Sequence, residues 1–197
     1  DSGSRHYLGH ENRSQNAAIL EDTVLYIRRS GGSISKIAAM KNAVGNFIDQ
    51  VTANATGDPA TNEDDVTHRI GIVKFSGNES DQIGNDTYRS DGNTYNYSQA
   101  VQDLTSVTGN VQSLKNAVNE LAAAGSTRTD FGLNQAQRVL DGDWQHGLGG
   151  AREEAKQVVV VFTDGEPSTF SNWSGGVAAN AVNLAKDLKD DKVTVYT

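Results

Sequence analysis

The chain has 197 residues, 21% charged and 36% hydrophobic, and carries a net charge of −8. That length suits one medium-sized domain with a core of its own, and an acidic chain without clustered Lys or Arg excludes a nucleic-acid backbone as partner. Cysteine is absent, which removes disulfides, thiolate metal sites and cysteine nucleophiles together.

In chain order, Asp1–Arg5 (DSGSR) is a small polar turn with no strand before it. Residues 6–34 lack a clean period and read as an insertion, in which Ala17–Arg29 suits a short strand or helix. His6 and His10 stand four apart beside Glu11, but no further ligands follow at metal spacing, so they read as surface residues. Gly31-Gly32 makes a break, and Ser33 or Ser35 supplies an N-cap. Ile37, Met40, Val44, Phe47, Ile48 and Val51 then keep helical spacing to about Ala53, an amphipathic helix packed on a sheet. After a polar loop, Arg69–Phe75 reads as a strand. Residues 76–98, dense in Gly, Asn, Asp, Ser and Tyr, form a second polar insertion. Its tyrosines, Tyr88 and Tyr95 among them, are of a type common at protein interfaces.

Asn110 is placed to cap a helix with the apolar stripe Val111, Leu114, Val118 and Leu121. The loop Ala124–Asp130 follows, then a helix carrying Leu133, Ala136, Val139 and Leu140, with Thr129 and Asp130 placed to cap it. Residues 141–150 are polar. The run Val158–Phe162 is too continuous for a sheet with one wet face and suits a parallel strand covered on both sides. It stops at Thr163-Asp164-Gly165-Glu166-Pro167, a turn that delivers a carboxylate past the strand's carboxyl end, where open α/β sheets bind ligands. Ser174 caps a helix bearing Val177, Ala181, Leu184 and Leu188, and Lys192–Thr197 begins a strand. Strand, helix, strand, helix, helix, strand, helix, strand predicts one α/β domain over 1–197, with a doubly wound, Rossmann-like, mainly parallel sheet flanked by helices. No apolar run approaches the ~20 residues of a membrane span.

Three polar, small-residue loops fall where strand ends should lie: Asp1–Ser4, Gly125–Asp130 and Thr163–Pro167. They offer the hydroxyls of Ser2, Ser4 and Thr127 and the carboxylate of Asp164. Hard oxygen donors suit Mg²⁺, with Mn²⁺ or Ca²⁺ as further candidates. Neutral hydroxyls with few carboxylates leave such an ion net positive and in need of an acidic group from outside. Glu166 orients this site or is an exposed turn residue. Trp173 is a contact residue or a staple for the helix after it.

With these motifs in hand the chain resembles a von Willebrand factor type A domain with a metal-ion-dependent adhesion site. Ser2-Gly3-Ser4 matches the serines of the family's Asp-x-Ser-x-Ser pattern, G-STRTDFGL (Gly125–Leu133) its threonine loop, and VVVVFTDGEP its final aspartate at Asp164. The helix SKIAAMKNAVGNFIDQV and the strand RIGIVKFS keep the family's order. The resemblance places the pattern's first Asp one residue before Asp1. It therefore implies a piece of a longer polypeptide, lacking the first central strand and the C-terminal end. The two insertions, the missing cysteines and the acidic balance look most like the A domain of Gram-positive sortase-assembled pilus tip adhesins. That subfamily implies a non-enzymatic, extracellular, cell-wall-anchored adhesion module. It would bind a host matrix or cell-surface protein through a Mg²⁺-coordinated acid, with other pilin subunits met by the rest of the chain.

The alternatives are a subunit of an intracellular metal-chelatase or ATPase complex and a non-adhesive structural domain. Fold alone excludes neither, but no Ser-His-Asp order stands out in the sequence and it has no G-x-x-x-x-G-K-[ST] loop.

Overall fold

The computed structural model describes residues 35–55, 68–77, 87–90, 93–96, 98–142, 150–163, 165–169 and 172–197. Four helices occur among them: α1 (Lys36–Ala53), α2 (Val111–Asn119), α3 (Thr129–Asp141) and α4 (Gly175–Asp190). The strands are β1 (Arg69–Lys74), β2 (Thr87–Ser90), β3 (Asn93–Asn96), β4 (Gln99–Ser106), β5 (Val158–Val160), β6 (Ser168–Thr169), β7 (Asn172–Trp173) and β8 (Thr194–Tyr196).

The α/β class that the alternating pattern predicts is present, but its sheet content is mixed rather than mainly parallel: the described strands pair two by two, one pair parallel and three antiparallel. The strand–helix–strand unit β5–α4–β8 pairs parallel, with Val158 opposite Thr194 and Val160 opposite Tyr196. A helical crossover is what allows that direction. β1 instead pairs antiparallel with β4, from Arg69 opposite Ser106 to Lys74 opposite Gln99. The composition of Gln99–Ser106 hides β4, because its polar residues alternate with too few apolar ones for strand periodicity to show. The pairing with β1 and the burial of Ala100 (4% exposed) reveal the strand.

Within the 76–98 insertion, β2 and β3 form an antiparallel hairpin with Tyr88 directly across from Tyr95. The excursion leaves and returns at one point. Ser98 Oγ donates to the Ser76 carbonyl at 2.7 Å and accepts from the Ser76 N–H at 3.1 Å. The 6–34 insertion lies outside the described residues.

Helix ends divide the cap expectations. Ser35 caps α1 by accepting from Ala38 N–H at 3.3 Å, and Ser174 caps α4 by accepting from Val177 N–H at 3.3 Å. Asn110 occupies the N-cap position of α2 without a side-chain cap bond; its amide donates to the Thr108 carbonyl instead, at 3.2 Å. The N-cap of α3 is Arg128, so Thr129 is already helical and Asp130 lies in the first turn.

Two apolar clusters carry the packing. One joins Ile48 of α1, Ile72 of β1, Val107, and Leu114 and Val118 of α2. The other joins Leu133 of α3, Ala181 and Leu188 of α4, and Val193, with Val159, Val161 and Val195 packed against them. α3 reaches both halves of the fold. A Cβ on Gly132 would lie 2.7 Å from Phe75 Cδ1, and one on Gly71 would lie 3.1 Å from Val139 Cγ1, so helix and strand approach at backbone distance there. The valine-rich strand is less enclosed than its composition predicts. Val159 and Val161 enter the second cluster, whereas Val158 remains 42% exposed. Its other side is met at Phe162 by Phe47 of α1, ring centroids 6.3 Å apart and edge-on.

Two buried polar groups lead to predictions. Gln135 of α3 is fully buried, and neither polar atom of its amide has a hydrogen-bond partner among the described residues. An unmet buried amide costs about 1–3 kcal/mol, so Gln135→Met, similar in shape and apolar, is expected to stabilise the fold by roughly that amount. Urea unfolding checks this, and a less stable variant would show that the amide is satisfied after all. Lys74, partly buried at the end of β1, has its pKa lowered from 10.5 by burial. Between the folded value and 10.5 the unfolded chain binds more protons, so this residue makes stability rise with pH across that window. Lys74→Met is expected to stabilise near neutral pH, with the gain shrinking as pH approaches 10.5. A gain independent of pH would trace to packing alone.

Candidate functional site

The loop from Ser126 to Arg128 is built as a tight bend with Thr127 at its tip. Arg128 N–H donates to the Ser126 carbonyl at 3.1 Å, closing a three-residue turn around Thr127. On the incoming side, Ser126 N–H donates to the Gly77 carbonyl at 3.0 Å, so the loop is tied to the end of the β1 segment. On the outgoing side the chain enters α3.

Thr127 itself is clamped by Ser168, 41 residues away in sequence. Thr127 N–H donates to Ser168 Oγ at 3.0 Å, and Ser168 N–H donates back to the Thr127 carbonyl at 3.0 Å. Both main-chain groups of Thr127 are thereby engaged. Its hydroxyl lies beside the turn after β5, where Thr127 Oγ1 stands 3.0 Å from the position a Cβ would take on Gly165. A Cβ there would press on that hydroxyl, which would have to give by a few tenths of an ångström. The turn is also stitched internally. Gly165 N–H donates to Thr163 Oγ1 at 3.3 Å, and the Thr163 hydroxyl is 3.2 Å from the Gly165 carbonyl. Beyond it, Ser174 N–H donates to the Pro167 carbonyl at 2.9 Å, closing the β6–β7 hairpin onto the start of α4.

Beneath the loop sits a buried ion pair. Arg128 Nε and Nη2 donate to the two carboxylate oxygens of Asp130, each at 2.9 Å, with side chains 8% and 4% exposed. The guanidinium also lies 3.5 Å from the centroid of the Phe131 ring, close enough for a cation–π contact. Asp130 therefore does not cap α3 as its position suggests; its carboxylate is committed to Arg128.

Of the residues proposed from sequence as metal ligands, Thr127 is placed next to the turn that carries Asp164. Ser2, Ser4 and Asp164 lie outside the described residues. Glu166 is exposed on the same turn. Trp173 is 65% exposed, its indole edge 3.0 Å from where a Gly175 Cβ would sit, and it pairs in register with Ser168. Tyr88 and Tyr95 stand opposite one another on the β2–β3 hairpin. Ser168, Thr163 and Arg128 are residues to which sequence reasoning gave no role. Their only signal was position: Arg128 and Thr163 lie within the two motif loops and Ser168 directly after the second.

Among the described residues, no three of His, Asp and Glu gather as a metal-binding group, and no helix is long and apolar enough to cross a membrane. The polar groove between α1 and α2 encloses about 210 Å³. It is lined by side chains already paired, Lys115 with Asp49 at 2.6 Å and Lys41 with the Asn119 carbonyl at 2.6 Å.

No curated protein and no solved structure matches the chain. The profile of the von Willebrand factor type A domain does match, over residues 24–197, taking in the Thr127 loop and the Thr163–Pro167 turn and leaving Ser2 and Ser4 before its start. With most of its length matched and the α/β order in place, the chain belongs to the von Willebrand factor type A domain family.

Proposed function

We propose that this domain is a metal-dependent adhesion module of a bacterial surface or pilus tip protein. It binds a host matrix or receptor protein through an acidic group of that partner. The observation that carries this reading is the approach of Thr127 Oγ1 to Gly165, 3.0 Å from the Cβ position. It brings a neutral hydroxyl to the residue next to Asp164, from a separate part of the chain.

The donor chemistry fits a hard divalent cation such as Mg²⁺. Thr127, Ser2 and Ser4 would contribute hydroxyls, and Asp164 its carboxylate, directly or through water. When bound, the ion supplies a Lewis-acidic position that takes a partner's carboxylate. This chain's own residues do the rest. Ser168, by its hydroxyl and its N–H, and Gly77, by its carbonyl, hold the main chain of the Thr127 loop; Thr163 shapes the turn, and one carboxylate against several hydroxyls would leave positive charge uncompensated. Such a centre favours an external acid over water. The role proposed is binding without turnover.

The test is adhesion of the purified chain to a panel of immobilised extracellular-matrix proteins in Mg²⁺ and in EDTA, with Mg²⁺ binding followed by calorimetry. Binding that appears with Mg²⁺ and vanishes in EDTA is expected. Equal binding in both would overturn the proposal.

A further inference from the structure

Thr127 is presented by a bend whose junction with α3 has no ordinary cap. The N-cap residue, Arg128, makes no side-chain cap bond to the helix, although a Ser, Thr, Asp or Asn at this position normally anchors the first turn. The structure puts something else there. The Arg128 guanidinium is fixed in plane by two bonds to Asp130, each at 2.9 Å, and from its face by the Phe131 ring at 3.5 Å. Asp130 and Phe131 are buried residues of the first turn of α3, 3% and 8% exposed. That turn is seated where Gly132 meets Phe75 at backbone distance.

The path from the pair to Thr127 is short. The guanidinium fixes the Arg128 side chain, and the Arg128 N–H is the donor that closes the bend on Ser126. The peptide plane between Thr127 and Arg128 also carries the Thr127 carbonyl that accepts from Ser168. A planar fork bonded at two points resists rotation as a single ammonium charge does not.

We propose that the Arg128–Asp130 pair is a positioning device for Thr127: it stands in for the missing cap and holds the bend so that Oγ1 faces the Thr163–Pro167 turn. Arg128 and Asp130 touch neither metal nor partner in this role. They act through the peptide plane they immobilise. The consequence for metal affinity rests on the adhesion-site reading above; the consequence for the loop does not.

The experiment is amide hydrogen exchange on the metal-free chain, together with a Mg²⁺ titration, in the parent, Arg128→Met/Asp130→Met and Arg128→Lys. The double variant removes both charges of the pair together. Its helical amides in α3 and α4 should keep their protection. The Thr127 and Ser168 amides should exchange roughly tenfold faster, the effect of losing about 1.4 kcal/mol of restraint, and Mg²⁺ should bind about 10–100-fold more weakly, as when a residue orienting a ligand is lost. Arg128→Lys, which keeps the charge and loses the fork, should fall between the two. Unchanged exchange at Thr127 and Ser168 in the double variant would overturn the proposal whatever Mg²⁺ does. A parent chain with no affinity for Mg²⁺ would sink the metal reading, while the exchange data still decide whether the pair positions Thr127.

Discussion

Asp130→Ala is expected to destabilise the domain by about 3–5 kcal/mol, because it removes a carboxylate that a buried guanidinium grips with two bonds. The Arg128 side chain is 8% exposed and gives two donors to Asp130 at 2.9 Å. Removing the acceptor breaks both bonds at a buried site. The attraction to the Phe131 ring, at 3.5 Å from its centroid, is worth about 0.5–2 kcal/mol, too little to replace a carboxylate. Against a total stability of roughly 5–15 kcal/mol, the loss removes a large share. Chemical denaturation of Asp130→Ala beside Arg128→Met/Asp130→Met separates the causes. The single variant should be much less stable and the double variant close to the parent, since an ion pair replaced whole by apolar side chains is often neutral. Two equally damaged variants would mean that packing volume, not the loss of the carboxylate, is what matters.

Asp164→Ala is expected to abolish Mg²⁺-dependent partner binding while the domain stays folded. Loss of a residue that merely orients a metal ligand costs about 10–100-fold in affinity, and a carboxylate that supplies the site's negative charge should cost at least that much. The fold should tolerate the change because its neighbours Thr163, Gly165 and Glu166 are exposed. Adhesion measured in Mg²⁺, with circular dichroism as the check on folding, gives the answer. A folded Asp164→Ala chain that still adheres in a Mg²⁺-dependent way would remove Asp164 from the site. A variant whose adhesion is low and insensitive to EDTA is the expected result.

The parts of the molecule legible in its sequence are those where cause and effect are near neighbours. Ser35 and Ser174 each bond an amide three residues on, so a cap followed by a 3.6-residue apolar stripe could be read directly. The α4 stripe buries Val177, Ala181 and Leu188 as its spacing predicts. β4 was not legible. Gln99–Ser106 is a strand because β1 and α3 lie against it, and neither neighbour is written into its own eight residues. Asp130 misled for the same reason. Next to a helix start an aspartate looks like a cap, and only the buried fork of Arg128 shows where its oxygens go.

The site divides along the same line. Sequence by itself determined the family order, the turn that follows the valine-rich strand, and Thr127 as a hydroxyl in a loop of small residues, because motif and turn chemistry are local properties of the chain. The tertiary structure alone decided that Thr127 meets Gly165, that Ser168 clamps it from 41 residues away, and that Val158 keeps an exposed face. Contacts between distant segments depend on how helices and strands pack. That packing is settled by the whole set of buried surfaces at once, not by any one stretch.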